Sequence, residues 1–117
     1  MKYLLMASMF VLSAKAMAYT TCASSDEAFK LFITESKLVQ LLVLDKSVSP
    51  APLSYVCEKS SMTDNQEQLA AYACLGGGFG EEKPVAVYVN ESQGLANFQD
   101  LSDESKDKSD LNCEISR

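Results

Sequence analysis

The chain has 117 residues, four cysteines, no histidine and no tryptophan, and its formal net charge at pH 7 is −6. This length predicts one domain with a small core, for which covalent cross-links are a common supplement. The acidic balance argues against nucleic acid and anionic membrane surfaces, which need clustered Lys and Arg. Without histidine, no ordinary Ser-His-Asp triad can form. The charge favours a cationic protein partner, because opposite fields speed encounter.

The N-terminus has the pattern of an export signal. Lys2 precedes an apolar run over residues 3–12, which is shorter than the about 20 residues that a membrane-spanning helix needs. Ala16-Met17-Ala18 is typical of a signal peptidase site, so we predict cleavage between Ala18 and Tyr19, with cleavage after Ala16 as the alternative.

We therefore expect residues 1–18 to be a signal peptide and residues 19–117 to be a single exported domain with no membrane span. The simple signal is typical of bacteria, which predicts a periplasmic or secreted product. Removal of Lys2 and Lys15 with the signal would take the net charge from −6 to −8.

All the cysteines lie after the predicted cleavage site, at Cys22, Cys57, Cys74 and Cys113. An even count in a small exported domain predicts a disulfide framework of two bonds. No pair has Cys-x-x-Cys spacing and there is no histidine, which argues against a zinc site and a redox-active pair. The spacing alone leaves three pairings open.

The first half of the domain predicts strands. Phe29, Leu31 and Ile33 occupy alternate positions and would share one face of a strand, and residues 34–37 form a turn. Residues 38–44 return as a strand so rich in Leu and Val that we expect it to be buried on both faces. A further strand is predicted over residues 53–58, after two prolines.

Two segments of the chain also fit helices. Residues 25–44 match a capped amphipathic helix, although the strand pattern is favoured there. Residues 63–75 precede a run of glycines and match a short helix with a glycine stop. For this segment we expect a helical turn or loop from about Thr63, then a strand over residues 70–75. An α+β fold is therefore the alternative to an all-β one.

The second half has the clearest strand signal. Val85, Val87 and Val89 alternate with smaller or polar-tipped residues, and residues 90–94 have turn chemistry before a partner strand over residues 95–99. Residues 102–110 are polar and charged, and we expect a solvated acidic loop there.

A shift of 56 residues aligns the two halves. It places residues 32–36 on residues 88–92 and Cys57 on Cys113. We infer an internal duplication with repeats over about 19–60 and 72–117. Eight strands in two similar halves predict a small antiparallel meander that closes, or nearly closes, into a barrel.

In a closed meander the first and last strands are neighbours. The strands that carry Cys57 and Cys74 are neighbours as well. This geometry favours the pairs Cys22–Cys113 and Cys57–Cys74. Pairing within each half, as Cys22–Cys57 and Cys74–Cys113, is the alternative.

The motifs that suggest chemistry have simpler interpretations. The glycine run at residues 76–80 lacks the Gly-Lys-Ser/Thr of a phosphate loop, and the acidic residues of 100–110 lack the EF-hand spacing for calcium. The sequon at Asn90 is interpreted as a turn. Glu35 and Glu91 could act as an acid–base pair, but they occupy turn positions where we expect exposure. We therefore assign no catalytic residue, metal site or cofactor.

Three segments carry a resemblance to a family: Tyr72-Ala73-Cys74, residues 85–90, and Leu111-Asn112-Cys113. Together with the export signal, they resemble small bacterial periplasmic β-barrel proteins of the C-type lysozyme inhibitor kind. The resemblance implies a disulfide-stapled barrel. The Ser-Gly-x-x-Tyr loop that enters the lysozyme cleft in that family is absent, so no inhibitory residue is carried over.

The expected function is that of a non-catalytic binding or inhibitor-type module for a protein partner. A structural envelope protein is the alternative, and a hydrolase is the less favoured third hypothesis.

Overall fold

The computed structural model describes residues 18–47, 50–77 and 82–116 of the chain. The predicted signal peptide, apart from Ala18, and Gly78–Gly80 of the glycine run lie outside the described residues. The strands are β1 (Ala18–Ala23), β2 (Phe29–Glu35), β3 (Val39–Asp45), β4 (Leu53–Asp64), β5 (Glu67–Gly76), β6 (Lys83–Asn90), β7 (Leu95–Asp100) and β8 (Lys108–Ser116).

The strands form one closed barrel in chain order, β1 to β8. Each strand is antiparallel to its neighbours, and β8 closes the barrel by pairing with β1. The predicted all-β closed meander is confirmed, and the α+β alternative is wrong. A 3₁₀ turn at Glu104–Lys106 is the one helical element in the described part of the chain, where no helix is long and apolar enough to cross a membrane.

The core lies inside the barrel. Because successive side chains on a strand point to opposite faces, alternate residues of every strand face the interior. The buried apolar side chains include Leu31, Ile33, Leu41, Tyr72, Val85, Val87, Val89, Phe98 and Leu111. Burial of each large side chain contributes about 1.5–3 kcal/mol, so this inner layer supplies most of the driving force for folding.

Two disulfides join neighbouring strands of the barrel. Cys22–Cys113 joins β1 to β8, and Cys57–Cys74 joins β4 to β5. In both cases the two cysteines are directly opposed in the strand register, with Cα atoms 4.0 Å apart. These are the pairs that the closed meander favours, and among the described residues no cysteine is free.

The hairpin of β4 and β5 is longer than the sequence predicted. The expected helical turn from Thr63 is wrong, because β4 continues to Asp64 and β5 begins at Glu67. Asn65 and Gln66 both have positive φ, 50° and 68°, as in the type I′ turn that suits a twisted hairpin. Since β3 pairs with β4 no further than Cys57, the hairpin extends past its neighbour.

The prediction that residues 38–44 are buried on both faces is also wrong. Leu41 and Val43 are buried, but Leu42 is 42% exposed and Leu38, which precedes β3, is 48% exposed. The physical reason is that the barrel is a single layer of sheet. It covers the inner face of each strand, and nothing in the described chain covers the outer face.

The expected solvated loop over residues 102–110 is shorter in the structure, because β8 begins at Lys108. Asp107 ends the 3₁₀ turn, and its side chain accepts a hydrogen bond from the backbone N–H of Asp100 at 2.8 Å. This contact draws the acidic segment back onto the end of β7.

The two disulfides should contribute unequally to stability. Cys22–Cys113 closes a separation of 91 residues and Cys57–Cys74 one of 17. Loop-closure entropy then predicts losses of about 4.5 and about 3 kcal/mol when each pair is replaced by alanine. Urea denaturation of the two double-alanine variants measures the difference, and a larger loss from the short loop would contradict this account.

Candidate functional site

An exposed apolar surface crosses the outside of the barrel, and we call it the outer apolar face. Its members are Phe32 on β2, Leu42 on β3, Val56 on β4, Leu75 on β5 and Pro84 on β6. The first four are 39%, 42%, 52% and 52% exposed, respectively, and Pro84 is exposed as well. These residues come from five consecutive strands, so barrel formation assembles the surface.

The strand register places these side chains next to one another. Phe32 lies opposite Leu42, and Val56 lies opposite Leu75, which in turn lies opposite Pro84. Directly opposed side chains have Cβ atoms about 4.5–5.5 Å apart, and diagonal neighbours about 7–8 Å. Leu42 pairs with Ser54, two residues before Val56, so Leu42 and Val56 are diagonal neighbours. The first row, Phe32 and Leu42, and the second row, Val56, Leu75 and Pro84, therefore form one continuous surface.

The border of this face is polar. Lys30 lies opposite Leu44 at one side, and Glu58 follows Val56 by two residues at the other. Gln40 opposes Val56 within the second row. Monomeric proteins rarely expose a contiguous apolar patch rimmed by polar residues unless it binds something. In the sequence, the signal for this face is the apolar run before Asp45. Taken alone, that run predicts a strand that is buried on both faces.

Glu35, one of the two glutamates considered for acid–base work, is less exposed than a turn position predicts. Its side chain is only 15% exposed and forms an ion pair with Lys59 of β4, with the Nζ–Oε1 distance at 2.7 Å. The same ammonium group lies 5.7 Å from the centre of the Tyr72 ring. Lys59 is therefore the immediate partner of Glu35, and the ion pair lies towards the end of the barrel from which the β4–β5 hairpin extends.

Glu91 and Asn90 lie in the β6–β7 turn at the same end. Asn90 is 8% exposed, and its Nδ2 donates to Glu67 at 2.8 Å. Gln93 Nε2 donates to the second carboxylate oxygen of Glu67 at 2.8 Å. Glu91 is exposed and lines an open groove with Lys59. The hydrogen bonds of Asn90 fasten this turn to the hairpin, which is a structural role.

The acidic segment is organised by serine hydroxyls. Asp100, expected in a solvated loop, is only 9% exposed, and its Oδ1 accepts hydrogen bonds from Ser102 N, Ser102 Oγ and Asp103 N. Asp103 accepts from both Ser105 N and Ser105 Oγ, and these bonds hold the pKa of its carboxyl below the usual value. Within residues 18–47, 50–77 and 82–116, no group of three side chains is placed to hold a metal ion.

A comparison of Leu41 with Leu42 tests whether the outer apolar face contributes to folding stability. They are adjacent leucines on β3, one 0% and the other 42% exposed. We expect Leu41→Ala to cost about 2–5 kcal/mol of unfolding free energy and Leu42→Ala less than about 1 kcal/mol. Urea unfolding measures both, and equal losses would show that Leu42 is part of the core.

Comparisons of the chain with protein-family models, with curated proteins and with solved structures found no significant match. The outer apolar face is the feature of the barrel wall that packing of its own core does not require.

Proposed function

We propose that this chain is an exported, non-catalytic binding module that holds a cationic protein partner on the outer apolar face. The observation that carries the proposal is the continuous exposed surface that is formed by Phe32, Leu42, Val56 and Leu75. Each of these side chains is at least 39% exposed. Interface cores are depleted in charged residues and rich in apolar ones, while their rims are polar. This face and its border have that composition.

The scaffold supports binding because it is rigid before the partner arrives. The face lies on paired strands of a closed barrel, and Cys57–Cys74 lies one residue from both Val56 and Leu75. A preorganised surface loses little conformational entropy on association, so more of the interaction energy contributes to affinity.

The charge of the domain supports a partner of the opposite sign. The net charge would be −8 once residues 1–18 are removed, and Glu58 stands at the border of the face. Such a field speeds encounter with a cationic protein and opposes association with a second copy of the same chain. We therefore favour a different protein over a homodimer.

Export is supported by the cysteines. Two disulfides are compatible with an exported or periplasmic protein, since such bonds persist in oxidising compartments. With the predicted signal peptide, this favours a partner in the periplasm or outside the cell. The resemblance to lysozyme inhibitors makes C-type lysozyme the first cationic candidate to test, with the outer face as the docking surface in place of the absent loop.

The decisive variant is Val56→Glu. It adds a negative charge, so a merely electrostatic attraction to a cationic protein should strengthen. Docking through the apolar face should instead weaken at least about tenfold, because a carboxylate would be desolvated in its centre. Isothermal titration calorimetry measures this, first with C-type lysozyme and then with proteins captured from the export compartment and purified.

Asn112→Asp is the matched control, since Asn112 is exposed on β8, the strand opposite β4 in the ring of eight, and its cross-strand partners Ala23 and Leu95 lie outside the outer apolar face. It adds the same charge, and we expect binding to be retained. Thermal unfolding checks that both variants fold. The proposal fails if no protein shows weaker binding to Val56→Glu than to Asn112→Asp. It also fails if light scattering shows a dimer that Val56→Glu abolishes, because a second copy then occupies the face.

A further inference from the structure

The barrel has an open cavity at the end where β1 connects to β2, β3 to β4, β5 to β6 and β7 to β8, and we call this end the lower mouth. The cavity has a volume of about 350 Å³. It lies inside the ring of strands and shares no residue with the outer apolar face. Its lining residues include Phe29, Val43, Leu53, Tyr55 and Phe98.

The wall of the cavity is aromatic and aliphatic. Phe29 and Phe98 contact each other with ring centres 5.1 Å apart and planes tilted by 51°. Val43 and Leu53 complete the apolar wall from β3 and β4. Ligand sites in proteins are typically concave, with volumes of about 300–1,000 Å³, apolar walls and few polar groups. The lower mouth has these properties.

Tyr55 supplies a hydrogen-bond donor at this wall. Its side chain lines the cavity beside Gly77, whose missing Cβ would lie 3.5 Å from the hydroxyl oxygen. The hydroxyl has no hydrogen-bond partner among the residues that the structure describes. Burial raises the pKa of Tyr55, with a further contribution from the charge of Asp100, so the hydroxyl keeps its proton at neutral pH.

The rim of the cavity carries charges of both signs. Asp45 and Asp100 line it together with Lys83 and Lys106. The carboxylate of Asp45 already accepts hydrogen bonds from Ser47, and Asp100 is likewise held within its own turn. The two carboxylates would repel an anion, and the two ammonium groups would repel a cation. The rim therefore favours neither sign of charge on a ligand.

We propose that the lower mouth binds a small uncharged molecule with an apolar body and one hydrogen-bond acceptor. The apolar body contacts the Phe29 and Phe98 rings, and the acceptor receives a hydrogen bond from the Tyr55 hydroxyl. This site is separate from the outer apolar face, so it can be occupied whether or not a protein partner is bound there.

The test compares three probes with the same naphthalene body: neutral 2-naphthalenemethanol, anionic 2-naphthoate and cationic 2-naphthylmethylammonium. The disulfide-bonded protein, labelled with ¹⁵N, is titrated and followed by NMR. We expect the neutral probe to bind saturably with a Kd of about 1 mM or tighter, shifting amide signals of Phe29, Tyr55 and Phe98. The charged probes should bind about fivefold or more weakly.

Two variants locate the site. Leu53→Trp fills the cavity and should abolish binding, and Tyr55→Phe removes the donor alone and should weaken binding about three- to tenfold. Leu75→Ser on the outer apolar face is the control and should bind like the unaltered protein. Amide spectra of the free variants show whether each one folds.

Three results would overturn the proposal. The first is no shift at lower-mouth residues with the neutral probe at about 2 mM. The second is binding that Leu75→Ser abolishes, because the probe then occupies the outer apolar face. The third is equal or tighter binding of a charged probe, which would show that the ligand class is wrong.

Discussion

Closure of the barrel between β1 and β8 is the constraint on which the other features of the structure depend. It joins segments 91 residues apart, and Cys22–Cys113 fixes them in register. Closure leaves no strand without neighbours, which removes the open edges that promote aggregation. It also gives every strand a definite inside and outside, so the alternation of side chains in each strand becomes a division between core and surface.

That division explains why the same strands supply both the core and the candidate interaction surface. On β3, Leu41 is buried in the barrel core and Leu42 faces outward, where a single layer of sheet leaves it uncovered. A polar residue at the outward position would serve folding as well. Folding of the barrel therefore does not account for the apolar rows outside, which is the basis for proposing a partner there.

The two ends of the barrel differ in what they can do. Towards one end, Glu35 and Lys59 form an ion pair beside Tyr72, and the long hairpin is fastened there through Glu67. The opposite end keeps an apolar cavity with a hydroxyl donor at Tyr55. This asymmetry separates the proposed small-molecule site from the proposed protein site, because one opens along the barrel axis and the other lies on its wall.

By itself, the sequence determined the strand character of residues 29–33 and 85–89, because a period of two is a local property of the chain. It also narrowed the possible cysteine pairings once a closed meander was assumed. Only the tertiary structure decided that Leu42 is exposed, because a continuous apolar run fits both one and two buried faces. It also decided the burial of Asp100 and the shape of the lower mouth. Both depend on strand register and closure, which bring together residues far apart in the chain.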